Sequence, residues 1–155
     1  MNYRLYNTQD FEELYAIEEV CFEAPQRFGR KYMRQLVESP ESATWIAEHD
    51  GTMAGFAIAD WAEETGENVA YIQTIEVLPD ERGHGVGGEL LERIETSAKA
   101  ANAGLIWLHV EEGNAGAIRL YEAHGYLCEG REEEYYGAGR AAVIYAKRLE
   151  FETAA

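Results

Sequence analysis

The chain has 155 residues, 46% apolar and 12% aromatic, which suits one domain with one core and excludes disordered, collagen-like and low-complexity classes. Its 29 acidic residues against 13 basic ones give a formal charge of -16, which repels polyanions and removes the electrostatic footprint of a nucleic-acid-binding protein. A surface of this sign concentrates cationic solutes, or serves only solubility.

Two cysteines, Cys21 and Cys128, are too few for a disulfide scaffold, and no CxxC spacing or Cys/His cluster suggests a metal site. Both are expected as small buried hydrophobes. The opening MNYRLYNTQDFEEL has no apolar signal region, and nothing approaches the ~18 apolar residues of a membrane span. A cytoplasmic protein that engages neither membrane nor nucleic acid is expected.

Tyr3–Tyr6 reads as a short strand. Asp10 followed by Glu13 resembles a capping box that opens a helix with Phe11, Leu14, Ile17 and Val20 on one face, ending near Cys21 or Phe22. A loop over Glu23–Gly29, containing Pro25, leads to a second helix around Lys31–Glu38. Thr44–Glu48 and Met53–Ala59 form a hairpin about His49-Asp50-Gly51-Thr52, because Asp-Gly accommodates the tight turn. After a polar loop over Glu63–Asn68, a strand Val69–Leu78 stops at Pro79, which lacks a backbone donor. Apolar residues at helical spacing (Val86, Leu90, Leu91, Ile94, Ala98) predict a helix over Val86–Ala101, and Gly104 precedes the strand Leu105–Val110. Asn114 caps a helix carrying Ile118, Leu120 and Tyr121, which Gly125 ends. Strands over Tyr126–Glu132 and Ala141–Leu149 complete the set. The expected architecture is α/β (α+β): a mixed, mostly antiparallel sheet of six to seven strands with about four helices and one central crossover unit, as a single domain over 1–149 and a frayed tail over 150–155.

Arg82-Gly83-His84-Gly85-Val86-Gly87-Gly88 lies between a strand and a helix. Backbone N–H groups with little side chain above them, the positive end of the helix dipole and the charge of Arg82 together suit a phosphate. A nucleoside-triphosphate P-loop is excluded because no Lys-Ser or Lys-Thr pair follows the glycines. Gly83, Gly85 and Gly88 satisfy GxGxxG, but Pro79-Asp-Glu-Arg separates them from the strand and the chain supplies one crossover where a dinucleotide fold needs several.

The pattern V-x-P-x-x-R-G-x-G-x-G from Val77 to Gly87 resembles the acyl-CoA pyrophosphate loop of the GNAT superfamily of N-acetyltransferases. Asn114-Ala-Gly-Ala-Ile-Arg-Leu-Tyr121-Glu-Ala-His-Gly125-Tyr126 is similar to the N-x-x-A-x-x-L-Y-x-x-x-G-[FY] segment that follows it there. The resemblance implies acetyl-CoA as acyl donor; no metal is expected, because the histidines lack ligand spacing and partners. Ile75 and Val77 would offer backbone groups to the pantetheine, Arg82, Gly83, His84, Gly85, Val86, Gly87 and Gly88 would hold the pyrophosphate, and Asn114 would face the cofactor while capping its helix.

The same resemblance assigns Tyr121 as general acid to the departing thiolate, a role that suits a phenol of reference pKa about 10. Leu105, Trp107 and His109 alternate on one face of their strand, as Tyr71 and Gln73 do on the neighbouring one. Tyr71-Ile-Gln-Thr-Ile and Leu108-His109-Val110 resemble segments of NatE-type N-terminal acetyltransferases, where a tyrosine and a histidine hold the deprotonating water. RimI-type ribosomal-protein alanine acetyltransferases, similar in both motifs, carry Glu where this chain has His109. Glu76 is a rival base, and strict alternation places it on the face opposite Tyr71 unless a β-bulge re-aims it. His49, His84 and His124 read as surface or capping groups.

By the same resemblance the acceptor is held by the loop Phe22–Gly29, with Phe22 and Pro25, by Gln73, and by Tyr135 and Tyr136. The expected function is acetyl transfer to the α-amino group of a protein or peptide. A small cationic amine such as a polyamine or aminoglycoside, drawn by Glu63-Glu64 and Glu132–Glu134, is the alternative acceptor. A non-catalytic CoA-binding module is the third reading, and exposed sheet edges leave a homodimer open.

Overall fold

The computed structural model describes residues 1–24 and 26–149. Its single sheet has the order β1-β2-β3-β4-β5-β7-β6, built from β1 (Asn2–Leu5), β2 (Ser42–His49), β3 (Thr52–Glu64), β4 (Glu67–Val77), β5 (Ala103–Glu111), β6 (Leu127–Glu132) and β7 (Ala142–Arg148). Only β4 and β5 run parallel, joined through α3 (Val86–Ala100). α1 (Phe11–Cys21), α2 (Arg30–Glu38) and α4 (Ala115–Ala123) complete the expected set of helices.

Alternation along β3 divides the core. Phe56 and Ile58 pack with Phe11, Leu14, Ile17 and Met33 of α1 and α2 on one face. Ala57 and Ala59 face Leu90, Leu91 and Ile94 of α3 on the other, where their small side chains let the helix lie close to the sheet.

The capping box falls three residues before the expected position. Asn7 Oδ1 accepts from Gln9 N (3.0 Å), Asp10 Oδ2 accepts from Asn7 N (2.8 Å), and Asp10 also receives both Arg4 Nη groups at 2.8 Å. Asp10 thus closes a 3-10 turn over Thr8–Asp10 and makes no cap bond to α1. Val20 is not on the buried stripe: it is 60% exposed, because nine residues from Phe11 are about two and a half helical turns. Tyr15 and Glu18 occupy the buried positions instead.

The segment read as a polar loop over Glu63–Asn68 is a second hairpin, with Glu63 paired to Asn68 and Glu64 to Glu67. Thr65 (φ 48°) and Gly66 (φ 83°) make its tight turn, as Asp50 (φ 50°) and Gly51 (φ 78°) do for the predicted one. Polar residues here mark solvated strand ends rather than irregular chain. Cys21 is half-buried and Cys128 is exposed on the edge strand β6, so neither is the buried hydrophobe expected. The tail over 150–155 lies outside the described residues.

Tyr126, 2% exposed, joins the crossover helix to the far half of the sheet. Its hydroxyl donates to Glu95 Oε2 (2.7 Å), and Lys147 Nζ lies 3.1 Å from Glu95 Oε1. Lys147 Nζ also reaches Oε2 (3.2 Å), so Tyr126→Phe removes one of two donors to that oxygen and is expected to cost about 1–3 kcal/mol of stability. A denaturant midpoint that falls with an unchanged m-value would register that loss.

Candidate active site

Pairing between β4 and β5 ends at Tyr71–Trp107. Beyond that point the strands diverge, and the β5-side backbone groups of Ile72–Val77 have no partner in β5. The resulting cleft has a volume of about 1020 Å³. It brings together Phe22, Tyr71, Gln73, Ile75, His109, Asn114, Tyr121, Tyr135 and Tyr136, all predicted from the sequence. Val77 and the loop Arg82–Gly88 lie outside its lining, past the end of β4. Pro25 lies outside the described residues.

At that end, Gly83 (φ 81°) and Gly85 (φ 82°) hold left-handed conformations that L side chains rarely adopt. They turn the chain so that Gly85 caps α3 with no side-chain bond, and the first N–H groups of α3 have no intrahelical carbonyl. Gly88 serves packing: a Cβ there would sit 3.2 Å from His124 Cε1, so it brings α3 and α4 together. Arg82 is exposed; its Nε donates to Val77 O (2.9 Å), and its Nη2 lies 3.7 Å from Cys21 Sγ. His84 is exposed with Nδ1 3.4 Å from Glu81 O, and His124 Nδ1 donates to Leu120 O (2.9 Å), closing α4. Dipole, exposed amides and a guanidinium fit a pyrophosphate.

Asn114 Oδ1 accepts from Ala117 N (3.1 Å) and caps α4. Two turns on, Tyr121 is 6% exposed and packs edge-on to Tyr126 with centroids 5.6 Å apart. Among the described residues its hydroxyl has no hydrogen-bonding partner. Burial, with Tyr136 adding to it, pushes the Tyr121 phenol well above its ordinary value, so it keeps its proton at neutral pH.

Across the cleft, Tyr71 Oη lies 2.7 Å from His109 Nδ1, and His109 Nε2 lies 3.3 Å from Glu132 Oε1. Burial, with Tyr135 next, pushes the Tyr71 phenol up, so Tyr71 donates. His109 then carries its own proton on Nε2, toward Glu132. Tyr135 stacks on the imidazole with centroids 4.2 Å apart and planes 8° from parallel, and Trp107 packs edge-on to Tyr71 at 4.7 Å. Glu132 entered the sequence reading only as part of an acidic run, because its place beside His109 depends on the register that sets the two near one another through β7.

Strict alternation along β4 fails. Thr74 pairs with Ile58 and Ile72 with Ala59, so Gln73 is an extra residue at a bulge. Asp60, Ile58 and Phe56 share a face, and their partners Tyr71, Thr74 and Glu76 therefore share it too. Glu76 is on the Tyr71 side after all, but it is 2% exposed and does not line the cleft. Gln73, turned out by the bulge, accepts from Tyr32 Oη (3.3 Å) and donates to Asp60 Oδ1 (3.1 Å). Sequence reading also missed the brace at the cleft's far rim, where Arg140 donates to both oxygens of Glu111 (2.7 and 2.9 Å), fastening the loop of Tyr135 and Tyr136 to β5.

The fold and cleft agree with relatives. Residues 11–126 match the Acetyltransferase (GNAT) family, and the chain belongs to it. The chain is 34% identical to streptothricin acetyltransferase of Streptomyces lavendulae over 64% of this chain and 52% of that one. It is 30% identical to the N-terminal acetyltransferase A complex catalytic subunit NAA10 of Arabidopsis thaliana over 81% of this chain and 67% of that one. The match thus spans about half to two thirds of the length of these relatives. Among solved structures, the ribosomal-protein-S18-alanine N-acetyltransferase of Escherichia coli superposes with a TM-score of 0.84 at 25% identity, covering 98% of this chain and 96% of that one. No group of three or more His, Cys, Asp or Glu among the described residues is placed to hold a metal, and no helix there is long and apolar enough to cross a membrane.

Proposed function

We propose that this protein is an acetyl-CoA-dependent N-acetyltransferase acting on the α-amino group of a protein or peptide. The observation that carries the reading is the Tyr71–His109–Glu132 chain facing Tyr121 across a cleft between two aromatic loops. Likeness to N-terminal and ribosomal-protein alanine acetyltransferases supports the acceptor class. Acetyl-CoA is here a substrate, with Arg82–Gly88 receiving its pyrophosphate and β4 beyond Tyr71 its pantetheine.

The amine nitrogen attacks the thioester carbonyl, the C–S bond breaks, and Tyr121 gives its proton to the thiolate. The amine's proton leaves toward Tyr71 Oη as the Tyr71 proton passes to His109 Nδ1, and Glu132 offsets the charge that develops on the imidazole. An α-amino group, with a reference pKa of about 8, needs less help than a lysine near 10.4. Glu76 is the weaker candidate for base because it lies behind the cleft wall. Glu132→Gln is expected to keep the fold and lower kcat/KM by up to about tenfold; a rate within about twofold of wild type would remove Glu132 from the relay.

The test is acetyl-CoA-dependent CoA release across peptides with free or blocked N-termini, polyamines and aminoglycosides. Turnover confined to free N-termini bears the proposal out. Turnover only on small amines replaces it with the second reading, favoured by likeness to streptothricin acetyltransferase and by the acidic charge.

A further inference from the structure

The proposed chemistry leaves two buried carboxyl groups without a use. Glu18 of α1 is 0% exposed and Glu76 of β4 is 2% exposed. Glu18 Oε2 accepts from the Phe28 backbone N–H (3.0 Å), and Glu76 Oε2 accepts from Thr74 Oγ1 (2.8 Å). The other oxygen of each carboxyl is fully buried and meets no N–H or hydroxyl donor among the described residues. The two carboxyls are neighbours, since Glu18 acts directly on the Glu76 carboxyl, and a hydrogen bond from carboxyl to carboxyl would need a proton between them.

Among the described residues no Lys, Arg or His forms a salt bridge with either carboxyl. Cys21 of α1 is a nearby titratable group, and β3 presents Phe56 opposite Glu76. Arg82 contacts Val77 O and Cys21 Sγ and forms no salt bridge with either carboxyl. Two bare carboxylates here would repel in a poorly solvated site. Burial, with Glu18 adding to it, holds the Glu76 carboxyl well above the usual carboxylate range.

This pair sits where the acceptor loop is tied down. Phe28 is held at both backbone groups, its N–H by Glu18 and its carbonyl by the Tyr15 hydroxyl (2.8 Å). The Gln73 bulge is what turns Glu76 toward α1, so one irregularity shapes both the cleft wall and the support beneath the loop.

We propose that Glu18 and Glu76 share one proton at neutral pH, and that this O–H···O bond, acting through Glu18 and the Phe28 amide, fixes the loop between α1 and α2, making both glutamates positioning residues for the acceptor. The inference rests on the acceptor side proposed above, but its first two readouts need no acceptor. They are the carboxyl 13C titration of the full chain and hydrogen-exchange protection of the Phe28 amide.

The pair is expected to titrate in two separated steps, with one proton retained through neutral pH. E18Q and E76Q put an amide N–H where the proton sits, and should keep Phe28 protection within about threefold of wild type. E76L leaves Glu18 alone and should lower that protection at least about tenfold, raising acceptor KM more than it lowers kcat. Both carboxyls ionised at neutral pH, or full Phe28 protection in E76L, overturns the proposal. If E76L does not fold, the titration of the unaltered chain still decides. Failure of every peptide as acceptor would count against the proposed function and leave these two measurements standing.

Discussion

Tyr121→Phe is expected to lower kcat for acetyl transfer by about two to three orders of magnitude while leaving the affinity for acetyl-CoA unchanged. The substitution removes one oxygen from a ring that stays in place. Tyr121 is fixed by its edge-on contact with Tyr126 and by its position in α4, where its carbonyl accepts from the backbone of His124 and Tyr126. Neither constraint involves the hydroxyl, so the melting temperature should hardly move. In the proposed mechanism the hydroxyl supplies a proton, and burial keeps it protonated across neutral pH. A rate within about twofold of wild type would remove Tyr121 from the chemistry.

His109→Ala should lower kcat/KM by about a hundredfold, because the imidazole that receives the Tyr71 proton in the proposed relay is gone. Tyr71→Phe is the companion variant, since it keeps the packing against Trp107 and breaks only the 2.7 Å bond to His109. If the two residues form one relay, the double variant is scarcely worse than either single one. Additive losses, or a rate within about twofold of wild type in His109→Ala, would show that the imidazole serves packing alone.

The parts of this molecule that were legible in the sequence are those carried by short-range chemistry. Gly83 and Gly85 announce a turn that other residues avoid, Asn114 announces a helix start, and Asp50-Gly51 announces a hairpin; each appears as expected because its cause lies within a few residues. Tyr71 and His109 were placed on facing strands by alternation and likeness together, and their contact followed. What was not legible depends on register. No local pattern marks Gln73 as the extra residue of a bulge, yet that bulge decides which way Glu76 points. Glu132 meets His109 only because β7 lies between their strands. The Thr65-Gly66 hairpin was hidden by the polar character of the solvated strand ends around it. Glu18 did leave a signal: a charged residue four positions after Leu14 and seven after Phe11 lies on the apolar stripe of α1, and a charge there asks for a buried partner.

The most direct test is to give the enzyme acetyl-CoA and one peptide that carries both a free α-amino group and an internal lysine, then locate the acetyl group by fragment mass spectrometry. Acetylation at the N-terminal nitrogen, lost in Tyr121→Phe, is the predicted result. Acetyl on the lysine side chain, or an unmodified peptide beside rapid turnover of a small amine, would contradict it.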